Sequence, residues 1–167
     1  MPVIVVMGVA GSGKTTVGAE LAARLGVEYA DADEFHPQAN IAKMSAGTPL
    51  TDEDRRAWLA GLAGWVASHA ETGGVLGASL LKRRYRDQLR AAGDVWLVHL
   101  HGDRDVLADR LRARTGHFMK VSMLDSQLAD LEPLEPDETG VTVDLAEPPG
   151  TLADKVLAEY PRVSPQT

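Results

Sequence analysis

The chain has no cysteine among its 167 residues. Disulfides, thiol nucleophiles and zinc–thiolate centres are therefore excluded. It also lacks any apolar run near the ~20 residues that a membrane-spanning helix needs. Positive charge is scarce: 17 Lys and Arg stand against 24 Asp and Glu, a net charge of −7. That balance argues against a nucleic-acid-binding surface, and any anionic ligand must be drawn in by a local basic site. No repeat, low-complexity tract or linker divides the sequence, and its length suits a single domain, residues 1–167, with one sizeable core. The first residues, Met1-Pro2 and five apolar ones, lack the basic start of a secretory leader, so a cytoplasmic location is expected.

What is present is concentrated near the start. Gly8-Val9-Ala10-Gly11-Ser12-Gly13-Lys14-Thr15 fits G-x-x-x-x-G-K-[ST], the phosphate-binding P-loop pattern. It follows the apolar run Val3–Met7, which predicts a buried strand, and it precedes a helix-type pattern with Val17, Leu21 and Leu25 on one face and Gly26 as a stop. That strand–loop–helix context is the one the motif requires. Glycine lets the backbone curl around phosphate oxygens. The curled N–H groups and the helix N-terminus then form an anion nest. Lys14 can reach the β- and γ-phosphates, and Thr15 can ligate Mg²⁺. ATP and Mg²⁺ are the expected cofactors.

Strand-like and helical patterns alternate along the rest. Short strands are predicted at Val27–Ala32, Val75–Ser79, Val95–Leu100 and Val141–Leu145. Thr51 reads as a helix N-cap followed by three acids, and Trp58, Leu62, Trp65 and Val66 form one apolar stripe. The segment 34–50 reads as polar and proline-punctuated, and 131–140 as loop. A closing helix carries Leu152, Val156 and Tyr160, and the tail 161–167 reads as frayed. Five strands alternating with helices predict an α/β fold with a parallel sheet and right-handed crossovers. Ligands of such sheets gather beyond the carboxyl ends of the strands. There the loop, Asp31, Asp33 and Ser79 would meet.

Phosphoryl transfer to a hydroxyl also needs a group that orients the acceptor and cations for the developing charge. In an extended strand, side chains two apart share a face, so Asp31 and Asp33 are both expected to point into the site. One would hold Mg²⁺ through water while the other accepts the hydroxyl proton. His36 follows as a candidate donor to a polyol or sugar acid. Lys82, Arg83, Arg84 and Arg86 form a dense basic cluster, part solvated face and part candidate carboxylate site. Arg110 and Arg114 share a helix face ahead of Gly116. There they can cap the helix or ride a lid, approximately residues 114–131, onto the phosphates.

The run from Asp31 to Arg55 resembles the signature D-x-D-x-x-H-P-x-x-N-x-x-K-M-x-x-G-x-P-L-x-D-x-D-R of the gluconate kinases, small P-loop kinases related to shikimate kinase. Ser79–Asp87 and Arg110–Phe118 are similar to two further stretches of that family. The resemblance implies a three-layer P-loop nucleoside triphosphate hydrolase fold of nucleotide-kinase type, a five-stranded parallel sheet with helices on both faces and a lid. It implies ATP-dependent phosphorylation of D-gluconate at its terminal hydroxyl, in a homodimer. On this resemblance Gly8, Val9, Ala10, Gly11, Ser12, Gly13, Lys14, Thr15 and Thr16 bind ATP, with Arg110 and Arg114 attending the nucleotide. Lys14, Asp33 and Arg114 are catalytic. Asp33, His36, Lys82 and Arg86 hold the sugar acid, and Thr15 and, through water, Asp31 serve the metal. Leu80 departs from the family's alanine, and Gly77 is expected to weaken its strand. Two rivals are a kinase of another small hydroxy acid, such as shikimate, and a nucleotide-binding switch. The chain has none of the N-K-x-D element with which switch GTPases read guanine.

Overall fold

Val3-Ile4-Val5-Val6-Met7 carries no polar residue, and a strand without a polar face must be covered on both sides. All five residues are buried, as β1 (Val3–Met7), the middle strand of a five-stranded sheet. The computed structural model describes residues 1–113 and 121–161. The other strands are β2 (Tyr29–Asp31), β3 (Val75–Gly77), β4 (Val95–His101) and β5 (Gly140–Asp144). They pair in parallel in the order β2-β3-β1-β4-β5, so every carboxyl end opens on one edge. The helices among the described residues are α1 (Lys14–Leu25), α2 (Gln38–Ser45), α3 (Asp52–Ser68), α4 (Arg83–Ala92), α5 (Arg104–Ala113), α6 (Val121–Asp130) and α7 (Pro149–Glu159).

The pleat sorts β1 into two cores. Ile4 and Val6 pack with Val17 and Leu21 of α1, Leu107 of α5 and Leu152 of α7. Val3 and Val5 face the other way, onto Trp58, Leu62 and Val66 of α3 and Tyr85 and Leu89 of α4. The result is the expected three-layer arrangement. The cap expected at Thr51 is a full capping box. Its Oγ1 accepts from the Asp54 N–H at 3.1 Å, and Asp54 Oδ2 accepts from the Thr51 N–H at 2.9 Å.

Several boundaries differ from the sequence expectation. β2 stops at Asp31 because Asp31 Oδ1 accepts from the Asp33 N–H at 2.9 Å and starts a 3-10 turn, Ala32–Phe35. The polar segment 34–50 contains α2, opened by Pro37 at its N-cap. β3 ends at Gly77, short of the expected Ser79, and a Cβ at Gly77 would lie 2.6 Å from the Tyr29 hydroxyl. Glycine leaves room there for the phenol hydroxyl. Of the expected lid, α6 covers 121–130, whereas 114–120 lie outside the described residues. Of the expected tail, 162–167 lie outside them also. Among the described residues no helix is long and apolar enough to cross a membrane.

One core residue makes stability depend on pH. His99 of β4 is 2% exposed and its Nδ1 has no hydrogen-bond partner among the described residues. Burial, reinforced by His101 and Arg86, brings its pKa down to about 4. An unfolded histidine titrates near ~6.5. Between those values the unfolded chain binds a proton that the native chain refuses, so stability rises with pH across the window and is lost as pH falls through it. Thermal unfolding of His99→Gln, measured from pH 7 to pH 4, should show a flatter decline than the parent. Parallel curves would remove His99 as the cause.

Candidate active site

Residues 8–13 leave β1 and turn back into α1. Gly11 and Gly13 sit at φ +80° and +93°, backbone space that glycine enters without steric cost. Gly13 caps α1 with no side-chain hydrogen bond, so the first-turn N–H groups stay directed at the loop. Lys14 Nζ donates to the carbonyls of Gly8 at 2.9 Å and Val9 at 3.2 Å, which holds its ammonium against the loop. Ser12 Oγ is buried with no hydrogen-bond partner among the described residues. Thr15 Oγ1 donates to Asp31 Oδ2 at 3.3 Å, tying the loop to the end of β2.

The two acids do not share a strand face. Asp31 ends β2 and turns to Thr15, whereas Asp33 lies one residue into the 3-10 turn with its side chain in an exposed position. Their common edge of the sheet is as expected, but its cause is the Asp31 cap rather than strand alternation.

On the acceptor side, His36 ends the 3-10 turn and stacks on Trp58, centroids 4.7 Å apart and planes 6° from parallel. The Trp58 indole N–H donates to the Ala32 carbonyl at 2.8 Å, which fixes the platform. Burial pulls the His36 pKa down, with Arg55 adding to it and Asp33 opposing. Burial and Arg55 thus both favour the uncharged ring.

The basic cluster divides. Arg83 pairs with Asp137 and Glu135, and Arg84 with Asp52. Asp52 is drawn below the usual carboxylate range chiefly by the Tyr85 hydroxyl. Arg86, expected to hold the sugar acid, is fully buried. Its guanidinium grips Glu138 at 2.7 and 3.0 Å and donates to the carbonyls of Leu80 and Leu81 at 3.1 and 3.2 Å. This corrects the expectation: every donor direction is spent on the protein interior. Arg86 instead holds the loop between β3 and α4, in which Leu80 takes the left-handed φ of +35°. That conformation costs a non-glycine residue about 1–3 kcal/mol and persists only where its surroundings enforce it. Leu80 is 1% exposed and fills the core over α3 and α4, so its departure from the family's alanine bears on packing. Lys82, at the end of this loop and half-buried, is the member of the cluster whose side chain makes no hydrogen bond or ion pair among the described residues, although its charge helps to hold Asp52 low.

A cleft of about 300 Å³ flanks the loop on its other side, walled by Gly13, Thr16, Val17, Arg110, Leu145 and Pro149. Arg110 spans it, donating to Leu145 O at 2.6 Å and Ser12 O at 3.5 Å. Arg114 lies outside the described residues. Sequence reasoning missed the cleft's walls on α7 and the loop after β5, because nothing local marks them. It also missed Gln127 of α6, whose Oε1 accepts from the Ala10 N–H at 2.7 Å.

The donor set suits a nucleotide with Mg²⁺. The loop presents N–H groups, an ammonium and an unpartnered hydroxyl to an anion. Thr15 and Asp31 supply hard oxygen ligands side by side, and Mg²⁺ is commonly held by one or two such groups plus phosphate and water. Among the described residues no cluster of three or more His, Asp or Glu forms a dedicated metal cage.

Comparison with known proteins agrees with this geometry. A family model described as an AAA domain matches residues 3–134. The chain is 45% identical over 162 residues to a gluconokinase of Gluconobacter oxydans, covering 94% of this chain and 90% of that protein. It superimposes on a sugar kinase of Janibacter with a TM-score of 0.89 at 48% identity, covering 95% and 94% of the two chains. A gluconokinase of Sinorhizobium meliloti gives a TM-score of 0.86 at 44% identity, covering 95% and 90%. The match covers almost the full length of both chains, and on it the chain belongs to the gluconokinase family of P-loop kinases.

Proposed function

We propose that this kinase transfers the γ-phosphoryl group of ATP to the terminal hydroxyl of D-gluconate, giving 6-phospho-D-gluconate and ADP. The observation that carries the reading is the meeting, at one sheet edge, of an intact phosphate loop and an acceptor side with a half-buried histidine stacked on Trp58 and a lysine side chain without a hydrogen bond among the described residues. Residues 8–16 would wrap the phosphates, and the cleft beneath Arg110 would take the base and ribose. Thr15 and Asp31 would hold Mg²⁺, which when bound neutralises charge on the β- and γ-phosphates. Lys82 would pair with the gluconate carboxylate, and His36 would contact the polyol. The acceptor oxygen attacks phosphorus as the bond to the ADP oxygen breaks, and its proton passes to the Asp33 carboxylate. Lys14 would stabilise the charge on the transferring group. The family resemblance supports a homodimer working in the cytoplasm.

A coupled ADP-release assay over gluconate, shikimate and nucleosides tests the substrate. Gluconate should be turned over and the others not. Turnover of shikimate or a nucleoside without gluconate would remove the proposal. Asp33→Asn should lower kcat by about 10²–10⁴, the usual worth of a positioned general base, with little change in the Kd for ATP. Equal losses in both would assign Asp33 to the metal.

A further inference from the structure

The roles above leave one buried polar side chain unused. Asn40 of α2 is 3% exposed, below His36. Its amide nitrogen carries two hydrogens and its amide oxygen none. One hydrogen goes to the backbone carbonyl of Asp54, with nitrogen and oxygen 2.7 Å apart. A carbonyl only accepts, so the amide cannot be reversed without setting oxygen against oxygen. The second hydrogen is thereby committed to the other neighbour of that nitrogen, His36 Nδ1, at 3.3 Å. A ring nitrogen that accepts carries no proton of its own, and in a neutral imidazole the proton then resides on the other nitrogen. Nε2 has no partner among the described residues.

The surroundings hold this arrangement rigid. The Asp54 carbonyl belongs to the first turn of α3, inside the Thr51 capping box. The Asp54 carboxylate is clamped by Lys43 Nζ at 2.7 and 2.9 Å, and that contact, with Thr51, brings its pKa down to about 2. The stack on Trp58 fixes the plane of the imidazole. The charged groups that act on the ring are Asp33, which favours protonation, and Arg55, which with burial opposes it.

We infer that Asn40 is a positioning residue that fixes His36 as the Nε2–H tautomer, making it a hydrogen-bond donor to an oxygen of the acceptor rather than a base. The part concerning the acceptor rests on the function proposed above; the tautomer does not. The inference also accounts for the run from His36 to Asp54 as one scaffold in which Asn40, Lys43, Thr51 and Asp54 serve the imidazole.

Long-range ¹H–¹⁵N spectra of the unliganded wild-type protein, with His36 assigned by comparison with His36→Gln, read the tautomer directly. The expected result is Nε2–H at neutral pH, with mixed tautomers in Asn40→Ala. Asn40→Asp, which sets a carboxylate against Nδ1, should move the proton to Nδ1 and raise the pH at which the ring titrates. In steady-state assays with gluconate, His36→Gln places an amide N–H where Nε2 was and should keep KM within about threefold. His36→Asn and Asn40→Ala should raise it roughly tenfold with kcat changed less, the signature of lost binding. An Nδ1–H ring in the wild type, or an unchanged tautomer in Asn40→Ala, overturns the inference. An Nε2–H ring with an unaltered gluconate KM in His36→Asn would instead take His36 out of the acceptor site and leave Asn40's hold on the ring standing.

Discussion

Lys14→Ala should lose about 10³-fold or more in turnover, the scale set by removing a preorganised charge from a phosphoryl-transfer site. Lys14 opens α1, and its ammonium lies 2.9 Å from the Gly8 carbonyl. Its position there comes from the Gly13 turn and from β1 behind it, neither of which uses the lysine side chain. Alanine is the best helix former, and the variant gives up the two hydrogen bonds from Nζ to the Gly8 and Val9 carbonyls, at about 0.5–1.5 kcal/mol each. The variant should therefore stay folded, with Tm lowered by only a few degrees, while ADP release collapses at saturating gluconate and ATP. Parent-like kcat in a folded variant would mean that the loop does not cradle the transferring phosphate.

The second large effect is structural. Glu138→Ala leaves the Arg86 guanidinium buried with its counter-charge gone. Stranding one member of a buried pair costs about 3–5 kcal/mol, which lowers Tm by roughly 10 °C in a chain of this size. The same guanidinium holds the carbonyls of Leu80 and Leu81. Relaxation of that loop moves Lys82, so the gluconate KM should rise as well. Replacing both partners, Arg86→Met with Glu138→Leu, removes the stranded charge and should recover much of the stability, as apolar substitutes for buried pairs often do. It should not recover KM, because the loop carbonyls lose their donor. A double variant with normal Tm and normal KM would show that Arg86 does not shape the acceptor side.

The contrast between Lys14 and Arg86 shows what is legible in a sequence. Lys14 was readable because its surroundings are its chain neighbours: a strand, six loop residues and a helix. The Thr51 cap and the Trp58, Leu62 and Val66 stripe were readable for the same reason. Arg86 was misread because its partner lies 52 residues on, in a loop whose composition marks only irregularity. In the basic cluster four cations look alike along the chain, and only the positions of Glu135, Asp137, Glu138 and Asp52 single out Lys82. Asp31 and Asp33 lie at the expected edge for a different reason, since a hydrogen bond from the Asp33 N–H back to the Asp31 carboxylate ends the strand.

Taken alone, the order of residues determined the fold class, the phosphate loop and the type of reaction, because hydrophobic period, glycine spacing and capping are short-range properties. Tertiary structure decided which polar groups are spent on the protein and which remain for a ligand. It buried Arg86 against Glu138, left the Lys82 side chain without a hydrogen bond among the described residues, and turned the Asn40 amide so that His36 presents a proton. Those outcomes depend on pairings between distant segments, and a charge or an amide carries no mark in sequence of the partner that will satisfy it.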